Sequence, residues 1–422
     1  MKKIINNTIT KSLIILISSV VIATVLMIGL YSVPADRAVN NVKNSIDIYS
    51  DKIIKTWTGN NRYAKLDTQT DIIMINMAVC RPYDTALENS LLNPHYILNE
   101  SIEDPHKVAL TKAISNEKTE YDNYSRYWHG GAIFMIPGLF FFDLGQLRMI
   151  MMFIHFFISL LVLNELQKID KVYALLFVVV ILFLNPVTTV MSYALFQTYM
   201  VSMVITYASL KFKDVLIKND GYVYLFLVGG ILTSFFDFLT YPLVTWGIPM
   251  VTYTLINNNK DFIKSFLNIV KMTIAWCVGY FGMWAGKWTV ATLLTNENVF
   301  ESALSSLALR SGNNDVKLSY FDTLDRQFET FDQSITALLL VGLIIIVFEF
   351  IKNIKSIKIS INMFDVFSFV LCALSPFVWY FVIRNHSYYH PWFEYRHLSI
   401  FIWSVYALLI KFVSNGTTKS NS

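Results

Sequence analysis

Arginines and histidines are densest in one short polar segment, RNHSYYHPWFEYR, between the last two apolar stretches of the chain. Arg384, His386 and Arg396 are groups of the kind that stabilise a phosphate as it gains charge when a bond breaks. With His390 nearby, the segment is therefore a candidate anion site. The alternatives are an ordinary short loop and a metal site on the two histidines, although the segment has no triad of carboxylates to complete one.

A second polar group occurs in SRYWHGG, just before the chain becomes apolar again. Arg126 and His129 place a cation and a hydrogen-bonding imidazole at a membrane edge, which suits an anionic lipid head group. The alternative is an interfacial aromatic belt with a snorkelling arginine. Arg148 follows at the start of the next apolar stretch, where a half-buried arginine needs a partner such as a phosphate or a loop acid.

Three acids are candidates for chemistry. A carboxylate partly shielded from water has a raised pKa and can take a proton from a substrate hydroxyl. Asp36, just after the first apolar stretch, and Asp71, in the apolar sequence QTDIIMINMA, both suit this role, and the spacing does not single out one of them. Asp237, in SFFDFLTYP, either forms a salt bridge with an arginine or contacts a substrate hydroxyl.

The composition of the chain indicates the class of protein to which these residues belong. The chain has 422 residues, of which 55% are hydrophobic and only 15% are charged, as is typical of integral membrane proteins. A net charge of +4 without a basic helix argues against a nucleic acid partner. The three cysteines are too far apart for a CxxC metal site, and no nucleotide-binding or hydrolase motif occurs.

Apolar stretches predict an all-α integral membrane protein with about ten transmembrane helices. Residues 1–33 are predicted to be an uncleaved anchor helix, 34–131 a large extracytoplasmic loop domain, and 132–145 an interfacial or re-entrant helix containing Pro137. The rest, 146–413, is predicted to be a polytopic helical domain, followed by a tail at 414–422. Its spans are predicted near 147–166, 172–189, 191–210, 221–236, 241–256, 266–287, 334–351, 363–383 and 397–413.

Lysines predict the orientation in the cell membrane. The short connections QKIDK, KFKDVLIKND, NNNKDFIKS and KNIKSIK fall on the same side as the N-terminal MKK, which the positive-inside rule makes cytoplasmic, together with the C-terminus. Lys287 breaks this pattern, because it lies at the outer end of its span; it is a candidate ligand for an anion, with snorkelling as the alternative. Every arginine falls on the outer side, and several are expected to pair with loop acids: Arg37, Arg62, Arg81, Arg310 and Arg326.

This order of elements resembles the GT-C fold of membrane glycosyltransferases that use lipid-linked sugars. The resemblance covers the first 165 residues best, where PADRA follows the first span, YWHGGAIFMIPGLFFF re-enters the membrane and DLGQLRMIMMF opens the next span. It implies that the sugar of a polyprenyl phosphate is transferred after a carboxylate deprotonates the acceptor hydroxyl. By position Asp36 matches the first-loop acid of the family. Where the family often has two adjacent acids, this chain has Asp36 beside Arg37, so Asp71 is the alternative base.

The resemblance also implies the partners. They are a polyprenyl-phosphate-linked sugar, a glycan or other cell-envelope acceptor, and membrane lipid, with Arg148, Lys287, Arg384 and Arg396 as candidates for holding the lipid phosphate. No cofactor is predicted, although a divalent metal is compatible with this chemistry. Two other classes stay open: a polysaccharide polymerase acting on lipid-pyrophosphate glycans, and a lipid or oligosaccharide flippase. The first normally has its large loop late in the chain, whereas here the loop comes first. The second has internal repeats and midplane charges; no repeat is found here, and the mid-span regions are almost free of charge, with Lys271 and His155 as the main exceptions.

Overall fold

A computed structural model describes the chain at residues 7–49, 54–57, 62–98, 105–115, 117, 119–257, 261–311, 318–354 and 363–417. The first helix and the loop domain (residues 34–131) contain α1 (Thr8–Tyr31), α2 (Asp36–Ser45), α3 (Thr68–Val79), α4 (Ala86–Leu92) and α5 (Pro105–Ile114). Four short strands accompany them: β1 (Ile54–Thr56), β2 (Lys65–Asp67), β3 (Pro94–Ile97) and β4 (Glu120–Asn123).

The described remainder consists of helices joined by turns and short loops. Its helices are α6 (Ala132–Phe141), α7 (Leu144–Ile169), α8 (Lys171–Phe183), α9 (Pro186–Met191), α10 (Tyr193–Lys211), α11 (Lys213–Leu216), α12 (Gly221–Phe236), α13 (Val244–Ile256), α14 (Phe262–Leu294), α15 (Val299–Ser311), α16 (Tyr320–Phe328), α17 (Gln333–Asn353), α18 (Met363–Val382), α19 (Arg384–Tyr389), α20 (Pro391–Glu394) and α21 (Leu398–Thr417). Short 3₁₀ turns lie at Ile46–Ile48, Arg62–Ala64 and Tyr395–His397.

Five of these helices are long and apolar enough to cross a membrane: α1, α7, α14, α17 and α18. The apolar helices α6, α8, α12 and α13 are shorter. A helix overlaps each predicted span, so the chain is an all-α membrane protein as its composition predicts. The number of helices that cross the bilayer, about ten by sequence, stays a prediction.

The loop domain was predicted only as a polar insert, and the structure shows how it folds. β1 pairs antiparallel with β2, and β3 pairs antiparallel with β4, so that two small ribbons stand among its short helices. The helix α3 has buried residues on most of its surface and packs beneath the rest of the domain. Asp67 caps its N-terminus, because its side chain accepts a hydrogen bond from the Thr70 backbone N–H.

The polar segments of the chain separate into two ends. The loop domain contacts the turns after α8, α12 and α18; for example, Asn185 Nδ2 donates to the Tyr63 carbonyl at 3.1 Å. The N-terminus of α1 lies at the opposite end, where Thr8 Oγ1 donates to Asp220 Oδ2 at 2.6 Å. The ion pair of Lys211 and Glu165 is also there. The connections around residues 167–171 and 211–220 thus lie at the end where α1 begins, while the cytoplasmic assignment of the lysine-rich end stays a prediction.

Close backbone contact between α12 and α14 fixes the centre of the membrane domain. A Cβ atom at Gly230 would overlap the Trp276 carbonyl oxygen, and one at Gly279 would overlap the carbonyl of Leu227. Small residues at such positions allow membrane helices to pack closely, since van der Waals contact replaces the hydrophobic driving force there. The two helices accordingly form one rigid pair.

We expect Gly279→Val to lower the free energy of unfolding by about 3 kcal/mol or more, because the new methyl groups would force two helix backbones apart. Gly29→Val in α1 is the matched control, since a Cβ at Gly29 meets no atom within 4 Å. Thermal unfolding of both variants in detergent micelles measures the effect. Equal midpoints for the two variants would contradict this account of the packing.

Candidate functional site

A polar cavity of about 240 Å³ lies at the loop-domain end of the molecule. Five parts of the chain surround it: α3 with the residues before it, the segment 124–129, the turn after α12, Arg310 of α15, and the segment 386–393. Its lining residues are Asp67, Gln69, Thr70, Ile73, Met77, Tyr124, His129, Phe238, Leu239, Thr240, Arg310, His386, His390, Trp392 and Phe393. Hydrogen-bonding groups and aromatic rings thus face one another across a space large enough for a small polar ligand.

Among the described residues that line this cavity, only Asp67 carries a carboxylate. Its Oδ1 accepts from the Thr70 N–H at 2.9 Å, and its Oδ2 accepts from the Trp392 indole at 3.3 Å. The two bonds come from segments more than three hundred residues apart in sequence, so they fix the carboxylate between the loop domain and the last helices. A carboxylate held in this way can accept the proton of a bound hydroxyl. The sequence offered a weak signal for Asp67, namely an N-cap residue before an apolar run.

The histidines predicted at the anion site do reach the cavity. His386 Nε2 donates to the Leu239 carbonyl at 2.8 Å, and His390 Nδ1 donates to the His386 carbonyl at 3.0 Å. Burial lowers the pKa of both rings, most strongly for His386. Because Nδ1 of His390 carries the proton in the neutral ring, its Nε2 is an acceptor. The pair therefore supplies neutral hydrogen-bonding groups rather than positive charge at neutral pH.

His129 lines the opposite wall. Its backbone has φ of 52°, and its Nε2 donates to the Tyr124 carbonyl at 2.9 Å. Nδ1 has no partner among the residues described. Burial, with a smaller effect from the cations Lys287 and Arg126, lowers the pKa of His129 to about 3. His129 is thus a neutral ring with one free acceptor nitrogen.

Arg310, which lines the polar cavity, and the nearby Arg126 have aromatic rather than acidic neighbours. Arg310 donates to the Tyr127 hydroxyl, and the Arg126 guanidinium lies 4.2 Å from the centre of the Tyr124 ring. Within the described ranges, neither arginine has a carboxylate within 4 Å. Loop acids were expected to pair with Arg310, and this pairing is not found. Both guanidinium groups therefore keep donors for an anionic ligand.

A second, apolar cavity of about 330 Å³ adjoins the polar one. Leu239 and Arg310 line both cavities, and Arg126 lines the apolar one. The other lining residues are Tyr127, Tyr280, Phe281, Trp284, Trp288, Ala303, Leu304, Leu307, Trp379, Val382 and Ile383. Phe281, Leu304 and Val382 are exposed, so one side of the apolar cavity reaches an apolar part of the molecular surface.

Asp237 shapes the boundary between the cavities without facing either. Its carboxylate accepts from the backbone N–H groups of Leu239 at 2.8 Å and Thr240 at 3.0 Å, and from the Thr198 hydroxyl at 2.8 Å. These bonds hold Leu239 at φ of 74°. Of the two roles predicted for Asp237, neither a salt bridge nor a contact with the cavity is found in the described chain. It instead supports the turn.

The two acids predicted as general bases lie outside the cavity. Asp36 is exposed in the first turn of α2. Asp71 is buried, accepts from the Ser192 hydroxyl and the Tyr193 N–H at 3.0 Å each, and joins the loop domain to α10. Burial raises the pKa of Asp71 to about 7, although Arg148 acts in the opposite direction. Asp71 therefore has the shielded environment and raised pKa predicted for a base, but it does not line the polar cavity.

Four cations predicted to hold one phosphate do not meet in one cavity. Arg148 lies 4.3 Å from the Tyr49 ring centre, and Arg384 lines neither cavity. Lys287 donates to the Leu91 carbonyl at 2.7 Å and to Asn93 Oδ1 at 2.9 Å, so it binds the loop domain. Arg396 donates to the carbonyls of Leu184 at 3.0 Å and Trp392 at 2.8 Å. These contacts hold chain segments together instead of facing a ligand.

One buried acid beneath the polar cavity was not predicted as a site residue. Glu394 has no exposed surface; its carboxylate lies 3.1 Å from His397 Nδ1, 3.5 Å from His386 Nε2 and 3.2 Å from the Trp379 indole nitrogen. It thus lies beside the ring of His386, although its Oε1 has no hydrogen-bond partner among the described residues. Over the described residues, no group of three or more potential metal ligands comes together.

Comparison of the chain with protein-family models, with curated proteins and with solved structures finds no match. Functional inference for this protein therefore depends on its own geometry.

We expect His129 to make the protein less stable in mild acid. Its pKa is about 3 when folded and about 6.5 when unfolded, so the unfolded state binds the extra proton first and stability falls as pH drops below about 6.5. Between pH 7 and pH 5 the free energy of unfolding should fall by about 2 kcal/mol more in the wild type than in His129→Asn. Asn tolerates the positive φ at this position.

Thermal unfolding at the two pH values measures this difference within each variant, so any constant effect of the substitution cancels. Between pH 7.5 and 8.5 the two proteins should change equally. Equal losses between pH 7 and pH 5 would show that His129 is not held neutral by burial.

Proposed function

We propose that the protein is a membrane glycosyltransferase that moves a sugar from a polyprenyl-phosphate donor to a cell-envelope acceptor. The observation that carries this proposal is the pair of adjoining cavities, one apolar and beside the lipid phase, the other polar and beside the loop domain, with Arg310 at their junction. A lipid-linked sugar has the same sequence of parts: an apolar chain, an anionic phosphate and a polar ring.

The donor then binds across the junction. Its prenyl chain enters the apolar cavity between α14, α15 and α18, and its phosphate lies between Arg310 and Arg126. Arginine presents a planar set of donors that matches phosphate oxygens, and aromatic neighbours do not neutralise it as a carboxylate would. The sugar ring occupies the polar cavity, where aromatic faces such as Trp392 and hydrogen-bonding groups such as Gln69 surround it.

Asp67 is the general base of this proposal. It takes the proton of the acceptor hydroxyl as the oxygen attacks the anomeric carbon, while the bond from that carbon to the phosphate oxygen breaks. The phosphate leaves with the bonding electron pair, and Arg310 stabilises the charge it gains. Asp67 replaces Asp36 and Asp71 in this role because it alone among the three faces the cavity. Neutral His129 and His390 accept hydrogen bonds from sugar or acceptor hydroxyls.

The location of the polar cavity favours a transferase over a flippase. A flippase moves its cargo past a site near the middle of the bilayer, between two halves of the protein. Here the cavity lies at the loop-domain end, beside a folded polar domain. That end faces away from the cytoplasm if the lysine-rich connections are cytoplasmic.

The orientation gives a prediction of its own. Because lysines mark the cytoplasmic side, a green fluorescent protein fused after Ser422 should fluoresce, whereas alkaline phosphatase at the same place should be inactive. The same two reporters, inserted separately within residues 99–104 of the loop domain, should give the opposite results: no fluorescence and an active phosphatase. Active phosphatase at the C-terminus would place the candidate site on the cytoplasmic side.

We expect Asp67→Asn to reduce sugar transfer by about a hundredfold or more, because a general base typically contributes that much. Asparagine is as good an N-cap as aspartate, so α3 should keep its start. Arg310→Gln should reduce transfer by a similar factor, about a hundredfold, through lost stabilisation of the leaving phosphate. The assay follows release of prenyl phosphate from short-chain prenyl-phosphate hexoses, with envelope extract as the acceptor source.

Two substitutions serve as matched controls. Asp143→Asn changes another N-cap aspartate, at the start of α7 and outside both cavities. Arg326→Gln changes an arginine that pairs with Glu329 at the surface. Both should keep activity within about twofold of the wild type, as is usual for surface changes. Failure of the wild type to consume any donor, or full activity of Asp67→Asn and Arg310→Gln, would overturn the proposed function.

A further inference from the structure

A third space, which we call the side cleft, lies between α6, α7 and α10. Its volume is about 190 Å³, and it shares no lining residue with the polar or the apolar cavity. Its lining positions on α7 extend from Leu147 to Ile154, about 10 Å along a helix that rises about 1.5 Å per residue. The side cleft is therefore elongated along the helix axes, the direction in which lipid chains run beside a transmembrane helix.

The mouth of the side cleft consists of exposed apolar side chains. Phe134 is 48% exposed and Phe142 is 40% exposed, and Ile154 in the middle of α7 is exposed as well. In a membrane domain such residues face lipid. A ligand thus reaches the side cleft sideways from the bilayer.

The carboxamide of Gln197 is buried deep in the side cleft and has no strong hydrogen-bond partner among the described residues. Gln197 is only 4% exposed; its nitrogen lies 4.0 Å from the Met74 sulfur, and its Oε1 has no partner among the described residues. A thioether is a weak acceptor. The other polar group of the lining, the Tyr193 hydroxyl, already donates to the Leu144 carbonyl at 3.3 Å. Burial of an unsatisfied amide is unfavourable, so Gln197 calls for a ligand that can hydrogen-bond to it.

The backbone beside Gln197 leaves space for this carboxamide. A Cβ atom at Gly131 would overlap all three terminal atoms of the Gln197 side chain. Since the turn after His129 has only a hydrogen atom there, the carboxamide fits against the backbone and lines the cleft. Gln197 stands one turn inside the start of α10, about 6 Å along its axis, and so lies toward the loop-domain end of the bilayer.

The lining also restricts the charge of the ligand. No lysine, arginine, histidine, aspartate or glutamate is among the residues that line the side cleft. A phosphate or an ammonium group would therefore lack a counter-charge, whereas a hydroxyl can donate to Gln197 Oε1 or accept from its nitrogen. We propose that the side cleft binds a neutral lipid alcohol of the diacylglycerol type, with one acyl chain along α7 and the hydroxyl on Gln197.

This site is independent of the proposed transferase activity, and its test needs no sugar substrate. The full chain in detergent micelles is heated with dioctanoylglycerol or with dioctanoylphosphatidylcholine, which share the acyl chains and differ at the hydroxyl. A ligand that binds only the folded state raises the midpoint of unfolding. We expect dioctanoylglycerol to raise it by about 3 °C or more and the phosphocholine lipid to leave it unchanged.

Substitutions test whether the carboxamide is responsible. Gln197→Leu should abolish the rise with dioctanoylglycerol, and should leave the ligand-free protein as stable as the wild type or more so, because an unsatisfied buried group is removed. Gln167→Leu, at an exposed glutamine near the other end of α7, is the control and should keep the rise. Ile150→Trp fills the side cleft and should also abolish the rise.

A photoactivatable diacylglycerol locates the site directly. In phosphatidylcholine nanodiscs it should label peptides from α7 or α10, with labelling reduced about tenfold in Gln197→Leu, as the loss of one buried hydrogen bond predicts. Equal rises with both dioctanoyl lipids, no rise with either, or an unchanged rise in Gln197→Leu would each overturn the proposal and leave an ordinary lipid-facing groove.

Discussion

Lys287 has no exposed surface, and its ammonium group donates to three acceptors of the loop domain, the carbonyls of Leu91 and Ser90 and the Asn93 side chain. A buried ammonium is unfavourable unless such partners are fixed around it. The loop domain is therefore held at one position on α14, and Glu297 strengthens this attachment by accepting from Asn123 and Ser125. Both cavities depend on this constraint, because their walls come partly from the loop domain and partly from the membrane helices.

Charged side chains in this protein serve two separate purposes. Those that join segments, such as Asp71 and Arg396, use most of their hydrogen-bonding atoms on backbone groups or on neighbouring side chains. The charged groups at the cavities belong to Asp67, Arg126 and Arg310. Among the described residues, none of the three forms an ion pair with a side chain of opposite charge. Since an unpaired charge near lipid is unfavourable, the second group is where a ligand of opposite charge would gain most. This contrast is why Arg310, and not Arg396, is central to the proposed site.

Sequence reasoning located the helices well but the site only in part. Long apolar runs depend on local composition alone, and a helix overlaps every predicted span, although the span near 172–189 divides into α8 and α9. His129, His386 and His390 were predicted to bind an anion, and the structure places them at the polar cavity, which leaves that role a prediction. Asp67 was overlooked, since only folding brings Trp392 against it.

The partners of the cations could not be predicted from the order of residues in the sequence. Lys287 was correctly singled out as unusual, yet whether an unusual cation binds a ligand or a backbone carbonyl depends on which segment packs against it. Arg310 was expected to pair with a loop acid, and only the folded chain shows two tyrosines in that place. Burial and partners are properties of tertiary structure, and a pattern of residue types specifies them weakly.

Leu239 shows how the junction between the cavities is maintained. A leucine at φ of 74° is in a backbone conformation that costs about 1–2 kcal/mol for a residue other than glycine. Two bonds offset this cost: Asp237 accepts from the Leu239 N–H, and His386 donates to the Leu239 carbonyl. Strained residues persist where the surroundings over-determine them, and they are concentrated at ligand sites. The strained Leu239, the carboxylate of Asp237 and the neutral ring of His386 thus lie together where the apolar cavity meets the polar one. In the proposed complex, this is the point at which the lipid chain of the substrate ends and its head group begins.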